Sequence, residues 1–326
     1  MLMLNRYNFS RPGGQSGVAL IMVLAIVAIV SMITFELAVG QQMWFSHSQN
    51  VSDRTQADWV DRGAQDYAAM MMDRDRLEGD VDHLNEAWAS QLPPFPAEGG
   101  MVTVGIEDLQ GRFNLNNLVQ NGTYNTEAGT VFRRLLTNAQ VTNDIQNAII
   151  DWIDTDINPR ANGAEDEFYM GRENGYRTPN QPLTNVRELA LIKGVDQDTL
   201  DKLSGLVTAL PQTTKININT AAAPVLASLF EGMPVDEAKS IVDYRERNPF
   251  NSPADIMKAV SGSYPAPKET LVSTGSQYFR IATTVDFGRY FQHTDAFLHR
   301  PADAKKTFFF YHERPLIRIK KGTESD

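Results

Sequence analysis

The chain has 326 residues, 42% of them hydrophobic, enough for a membrane helix plus two or so globular units with a real core. Thirty Lys and Arg stand against 40 Asp and Glu, a formal net charge of -10, which argues against nucleic acid as a partner because phosphates call for a basic surface. There is no cysteine, so thiolate catalysis, cysteine metal sites and disulfides are excluded.

The first element is an apolar run, Val18 to Phe35, interrupted only by Ser31 and Thr34, with no charge between Arg11 and Glu36. As a helix it reaches about 27 Å, close to a bilayer's hydrocarbon core. A secretory signal would have a shorter core and a small-residue site after it; here the small residue, Gly17, comes before. A plain membrane anchor is the other alternative. A basic leader (Arg6, Arg11, no acid), then Gly17, then a long apolar helix resembles the class III signal of type IV pilins and pseudopilins. That resemblance implies a leader at 1–17 removed by a prepilin peptidase, methylation of a new N-terminus at Val18, and a transmembrane assembly helix at 18–40. Arg6 and Arg11 precede the helix and the next base is Arg54, so the N-terminus is expected in the cytoplasm and the bulk of the chain in the periplasm, as a single-pass protein of the bacterial inner membrane. The mature chain would hold 28 basic against 40 acidic residues.

Most members of that family carry Glu at the fifth mature position, where it is thought to pair with a neighbour's N-terminal ammonium. Here that position is Met22, a departure resembling the K-type minor pseudopilins of type II secretion (general secretion pathway protein K) and suiting a filament end. The plainer reading is a lipid-facing residue.

After Phe35 the helical pattern runs on to about Leu77, with Ala57, Val60, Ala64, Tyr67 and Met71 as the apolar face; a break near Gly40 is the alternative. A short helix near Leu84–Ala89 ends at the Pro-rich loop Leu92–Pro96. Met101–Ile106 alternates as a strand, and Arg112–Leu115 is a candidate second strand of a hairpin turning at Gly111. "Gly-Arg-Phe-Asn-Leu-Asn" resembles the K-type segment after its first strand. Helices are expected at 127–138, 142–154, 185–192 (capped by Thr184 or Asn185), 198–210, 221–230, 235–247 and 253–260. Strands return at 278–285, 295–299 and 306–319, and 320–326 is a polar tail. The fold class is therefore α+β, an N-terminal transmembrane helix extending into a pseudopilin α/β domain with a large all-α insertion. The units run 41–122 for the pseudopilin helix and first strands, 123–275 for the inserted block, and 276–326 for the closing strands.

Between Asn143 and Met170 there are seven acids and one base. Counting Asp154 as one, Asp156, Asn158, Asn162 and Glu165 fall at three, five, nine and twelve, the ligand rhythm of an EF-hand, but Pro159 stands where that loop has its turning Gly. The residues alone leave a solvated acidic loop and an ion-binding loop equally open. A paired-carboxylate hydrolase has no other sign of a substrate cleft. Zinc is disfavoured, since none of the five His lies in the loop. The segment Asp151-Trp-Ile-Asp154 … Gly-Ala-Glu165-Asp166 resembles the K-type family's, and the resemblance implies calcium, one or two ions. Asp154, Asp156, Glu165 and Asp166 are the candidate ligands, with Asp151 and Glu188 behind them.

Asn185–Leu206 and Ile216–Arg247 both resemble helix-hairpin-helix units, which in nucleic-acid binders turn a Gly toward phosphate. From Leu183 to Val260 there are eight bases and ten acids, so a protein-packing role is expected and no nucleic acid. The resemblance now spans almost the whole chain. It implies a non-enzymatic pseudopilus-tip subunit, with minor pseudopilins I and J, other pseudopilins and secreted substrates as partners. The alternative is a minor pilin of a type IV pilus or DNA-uptake machine using its helical hairpins for binding.

Overall fold

The computed structural model describes residues 16–90, 93–97, 100–142, 144–287, 290–302 and 306–314. The leader to residue 15, parts of the loop at 92–96, and the strand and tail expected beyond 314 lie outside the described residues. Two compact units are present, Met1–Asp58 and Trp59–Asp326.

Helix α1 (Ser16–Glu78) begins in the first unit, and Gly40 lies within it without a break. No proline occurs between Pro12 and Pro93 to interrupt its hydrogen-bond ladder. Its N-terminal window has mean hydropathy 2.9 with none of it buried, long and apolar enough to cross a membrane.

In the second unit the buried stripe of α1 is Asp61, Ala64, Gln65, Ala68 and Met72. Of the expected face Ala57 and Ala64 are buried, but the stripe is rotated away from the rest, for Tyr67 is 53% exposed and Val60 and Met71 are only half-buried. The reason is that Asp61 and Gln65 are buried with partners. Asp61 accepts from Thr283 Oγ1, from Gln65 Nε2 (3.1 Å) and from Gln292 Nε2 (3.1 Å). Hydropathy assigns such residues to solvent, but a carboxylate can be buried when its oxygens are taken.

A 3-10 turn at Ala87–Ala89 is all that forms of the short helix expected at 84–89. Strands β1 (Phe95–Ala97) and β2 (Gly100–Asp108) follow. Short pieces come next: β3 (Phe113–Asn114), β4 (Val119–Gln120), β5 (Thr123–Tyr124), β6 (Val207–Thr208), β7 (Ile216–Asn217) and β8 (Val272–Ser273). The long strands β9 (Tyr278–Phe287), β10 (Tyr290–His299) and β11 (Phe308–Glu313) complete an antiparallel sheet of order β1-β2-β9-β10-β11. Asp108 pairs with Phe279 and Met101 with Asp286, so β2 and β9 are neighbours although residues 109–277 separate them. Among the described residues, every α-helix beyond α1 lies in that interval.

Within the interval run α2 (Thr126–Asn138), α3 (Ile145–Ile153), α4 (Asp166–Met170), α5 (Gln197–Leu203), α6 (Ala223–Leu229) and α7 (Val235–Arg247), with 3-10 turns at Val186–Leu191 and Pro253–Lys258. Asn125 caps α2 through Glu127 N and Ala128 N, and Asn185 with Glu188 forms a capping box. The two hairpins turn at Gly194 (φ 82°) and Gly232 (φ 74°), left-handed positions that disfavour a Cβ. Phe113, Phe132, Leu135, Ile149, Leu189, Val225, Leu226 and Ile241 are among the side chains of one continuous core.

Two expectations are corrected. Residues 112–115 do not turn back on β2; β3 pairs in parallel with β6. The helix expected to reach Leu210 ends at Leu203, because Gly205 (φ 76°) reverses the chain and Val207–Thr208 join β3. Asparagines replace regular pairing here. Asn116 Nδ2 donates to Leu183 O and Leu210 O, both at 2.9 Å, and its Oδ1 accepts from Leu183 N at 2.8 Å. Asn219 clasps Phe250 in the same two-way manner, at 2.9 Å each way. Asn116→Ala strands three buried main-chain groups, and the expected loss is on the order of 3 kcal/mol; chemical denaturation should show it, while an exposed asparagine such as Asn248 changed to Ala should cost far less.

Candidate metal centre

Helix α3 ends where Asp154 N donates to Ile150 O at 2.8 Å, and the acidic loop begins. Its fold is set by Asp151, fully buried on the last turn of α3, whose oxygens accept from Arg160 N (3.1 Å) and Ala164 N (2.9 Å). Gly163 makes this possible, since a Cβ there would lie 1.9 Å from Asp151 Oδ2. Lys193 Nζ ties the loop from outside by donating to Gly163 O at 3.0 Å. Arg160 sits over the Tyr124 ring at 5.3 Å, its Nε 3.6 Å from Asp151 Oδ1 and its Nη2 3.6 Å from Asp154 Oδ2.

The loop so held brings Asp154, Asp156 and Glu165 together, one oxygen from each lying within 4.8 Å of the others. Asp154 and Glu165 are buried and Asp156 is exposed, an opening on one side. Asp154 Oδ1 and Glu165 Oε1 are buried with no hydrogen-bond partner. Burial, with repulsion from Asp151 and Asp154, pushes Glu165 up to about 7; burial and the Asp156 charge also raise Asp154, against the opposing Arg160; burial pushes Asp151 up to about 6. Buried carboxylate oxygens that face one another without donors are strongly unfavourable unless a proton or a cation joins them. All-oxygen donors on a loop fit a hard divalent ion such as calcium.

The other three candidates are not brought into this group. Asp166 Oδ1 is taken by Thr178, from its N at 2.8 Å and its Oγ1 at 2.9 Å. Asp151 shapes the loop as described. Glu188 Oε1 accepts from Thr184 N, Thr184 Oγ1 and Asn185 N, and its Oε2 from Trp152 Nε1, so it is a capping residue. Sequence reasoning missed Asn180. Its Nδ2 donates to Asp156 O at 3.2 Å, and its Oδ1 is buried and unpartnered. Its only sign in the sequence is the turn-prone Pro-Asn-Gln-Pro stretch it sits in.

A second acidic group, Asp75, Asp82 and Glu86, already has its cation. Arg300 Nη1 lies 3.0 Å from Asp75 Oδ2 and its Nη2 2.5 Å from Asp82 Oδ2, with the guanidinium over Phe279. Burial raises Asp82 to about 7 even so. The remaining sequence candidates sit on α1: Gly17, Val18 (58% exposed) and Met22 (62% exposed).

Family models described as type II secretion system (T2SS), protein K, match residues 111–212 and 216–274. The chain is 36% identical over 304 residues to the type II secretion system protein K of Pseudomonas aeruginosa, covering 90% of this chain and 91% of that one. The protein of the same name from Klebsiella pneumoniae is 34% identical over 270 residues, covering 78% and 81%. A chain from the crystal structure of the GspK-GspI-GspJ complex of the enterotoxigenic Escherichia coli type 2 secretion system superposes with TM-score 0.73 over 82% of this chain and 99% of that one; at 23% identity this is a likeness of fold. An α+β protein with an N-terminal apolar helix and these relatives is a component of type II secretion. The chain belongs to the type II secretion system protein K family.

Without a divalent ion, Glu165 binds its proton more tightly folded (about 7) than at its ordinary value of 4.5. A raised pKa gives stabilisation that is complete below the unfolded value and is lost as pH rises through the folded one. The melting temperature of the chelated full-length chain in detergent should therefore fall from about pH 5 to about pH 8, Asp82 adding an ion-independent part of that slope. Calcium should restore it chiefly at the upper end, by about 2.7 kcal/mol at a hundredfold excess over Kd. Glu165→Gln should lose the calcium response; identical melting in chelator and in millimolar calcium at the upper pH would reject the site.

Proposed function

We propose that this protein is the tip subunit of the type II secretion pseudopilus, a structural component without catalytic residues. It would cap the filament, start its assembly and support export across the outer membrane. The observation that carries the reading is the insertion of residues 109–277 between two neighbouring strands of an otherwise small sheet, in a chain of this family. Such a bulk hinders stacking of a further subunit over it. Met22 supports the same end position, because it offers no carboxylate to a subunit above, while the amine at Val18 can still receive one from a subunit below.

Minor pseudopilins I and J are the proposed partners, by likeness to the chain from the GspK-GspI-GspJ complex. Prepilin peptidase, other pseudopilins and secreted proteins are further proposed contacts. The proposed topology has the leader in the cytoplasm, α1 crossing the inner membrane, and the sheet and helical block in the periplasm, following Arg6 and Arg11. Calcium at Asp154, Asp156 and Glu165, with Asn180 beside them, is proposed as a structural ion. The orphaned Asp154 Oδ1 and Glu165 Oε1 support it.

Gly17→Val should block the peptidase and leave residues 1–17 attached, with secretion abolished. Mass spectrometry of the wild-type N-terminus should find a methylated chain beginning at Val18; an uncut chain, or one cut elsewhere, would refute the pilin-type reading. For the tip, Met22→Glu alone should be mild. Deleting residues 109–277 and rejoining β2 to β9 should let cross-linking find the protein along the shaft of longer pili. A deleted form still confined to the tip would show that bulk does not set the position.

A further inference from the structure

Among the described residues 109–277, the exposed large apolar side chains are Ile157, Phe168, Met170 and Leu191. All four fall between the acidic loop and the 3-10 turn Val186–Leu191; the rest of the block keeps its large apolar side chains inside. Phe168 is the centre of a built arrangement. Lys193 Nζ lies 4.9 Å and Arg172 Cζ 5.9 Å from its ring centroid. Arg172 Nη1 is 3.3 Å from Tyr176 Oη, which donates to Leu191 O at 2.6 Å. Tyr176 stacks on the buried Tyr169, and Tyr169 Oη accepts from Lys193 N at 3.1 Å. The aromatic, the two cations and Leu191 are thus tied into one surface.

Neighbouring Arg177 and Arg187 are paired, with Asp166 at 3.9 Å and Glu313 at 2.5 Å. Arg172 and Lys193 make no ion pair among the described residues; their contacts are the Phe168 ring, Tyr176 Oη and Gly163 O. Two cations that make no ion pair and lie on an exposed phenyl ring are complementary to carboxylates that arrive with an apolar group.

We propose that the Phe168, Arg172, Tyr176, Leu191 and Lys193 surface docks an acidic segment, bearing an apolar side chain, of a protein undergoing export. The choice of an exported protein rests on the tip reading, since a transient guest fits a small, partly polar patch better than a permanent neighbour does. The surface is also coupled to the acidic loop. Phe168 lies on α4, whose first residue follows Glu165, and Lys193 holds Gly163 O. Ordering the loop by an ion therefore orders the docking surface.

The test uses the full-length chain in detergent micelles and fluorescent peptides in which Asp and Glu alternate with Phe and Leu. Peptides of the same pattern with Asn and Gln, or with Lys and Arg, are the controls. With calcium present, the acidic peptide should bind about tenfold or more tighter than the amide peptide, and the advantage should shrink with salt. Arg172→Glu with Lys193→Glu should remove the preference, and the milder Arg172→Gln with Lys193→Gln should reduce it, each read at a temperature where the variant is folded because Lys193 also ties Gly163 O. Equal binding of acidic and amide peptides, or an undiminished preference in both double variants, overturns the docking surface. Chelation should weaken the acidic peptide; if it moves the melting temperature but not the binding, the coupling to the loop is wrong. If it moves neither, the calcium reading fails while the peptide preference still decides the surface. A photo-cross-linker at Phe168, in secreting cells, should capture the exported protein only when that protein is made; adducts with a pseudopilin alone overturn the assignment of the guest.

Discussion

A buried polar joint carries the architecture of the second unit. Asp108, the last residue of β2, accepts from Gln110 N (2.8 Å), Asn217 Nδ2 (2.9 Å), Thr220 Oγ1 (2.6 Å) and Ser276 Oγ (2.7 Å). Asn217 also donates to Asp82 O, and Asp82 Oδ2 accepts from Ser276 N at 2.6 Å. Arg300, just past β10, donates to Asp82 and to Ser276 O. Both places where the chain leaves and re-enters the sheet, the loop after α1, and the first turn of the second hairpin therefore meet at one set of oxygens. A sheet interrupted over residues 109–277 needs such a fixed point, because apolar contact alone does not fix register. Burial raises Asp108, and the four donors oppose that rise. The backbone is closed tightly around the joint: a Cβ on Gly275 would lie 2.2 Å from Asp80 O, and one on Gly111 2.8 Å from Thr220 Oγ1.

The sequence was informative wherever one local rule decided the outcome. The apolar run at Val18–Phe35, the helices α2, α3, α6 and α7 and the long strands follow hydropathy within a few residues, whereas the helices expected at 185–192 and 253–260 form only 3-10 turns. The family-like segment around Asn114 and Asn116 was legible as a marker but not as a mechanism. Its asparagines bond main chain 67 to 98 positions away, and no periodicity records such a partner. The same limit explains the rotated stripe on α1. Asp61 and Gln65 are inside because Thr283 and Gln292 await them, information held in β9 and β10 rather than in the helix. It also explains why β3 was misassigned, since two residues pairing in parallel with β6 carry no pattern of their own.

In the acidic loop, the count of carboxylates was visible and their division of labour was not. Asp151, Asp154, Asp156, Glu165, Asp166 and Glu188 are alike in a sequence. Donors supplied by other segments separate them: Ala164 N for Asp151, Thr178 for Asp166, Thr184 and Trp152 for Glu188. Two of the three left together each keep a buried oxygen without a donor. Asn180 escaped notice for the converse reason, because an amide becomes a ligand candidate only when its neighbours leave its oxygen unpartnered.

The two acidic groups found among the described residues are stabilised in different ways. At Asp75 and Asp82 the cation is Arg300, covalently part of the fold and over the Phe279 ring, so the joint needs no added ion. At Asp154, Asp156 and Glu165 the resident base, Arg160, is shared with Asp151 and stands 3.6 Å from one oxygen of Asp154, which leaves the innermost oxygens unanswered. Neutrality there calls for protons or a free cation. The first group, through Arg300 and Ser276, ties the loop after α1 to the start of β9, while the second sits in a loop that Lys193 links to the Phe168 ring.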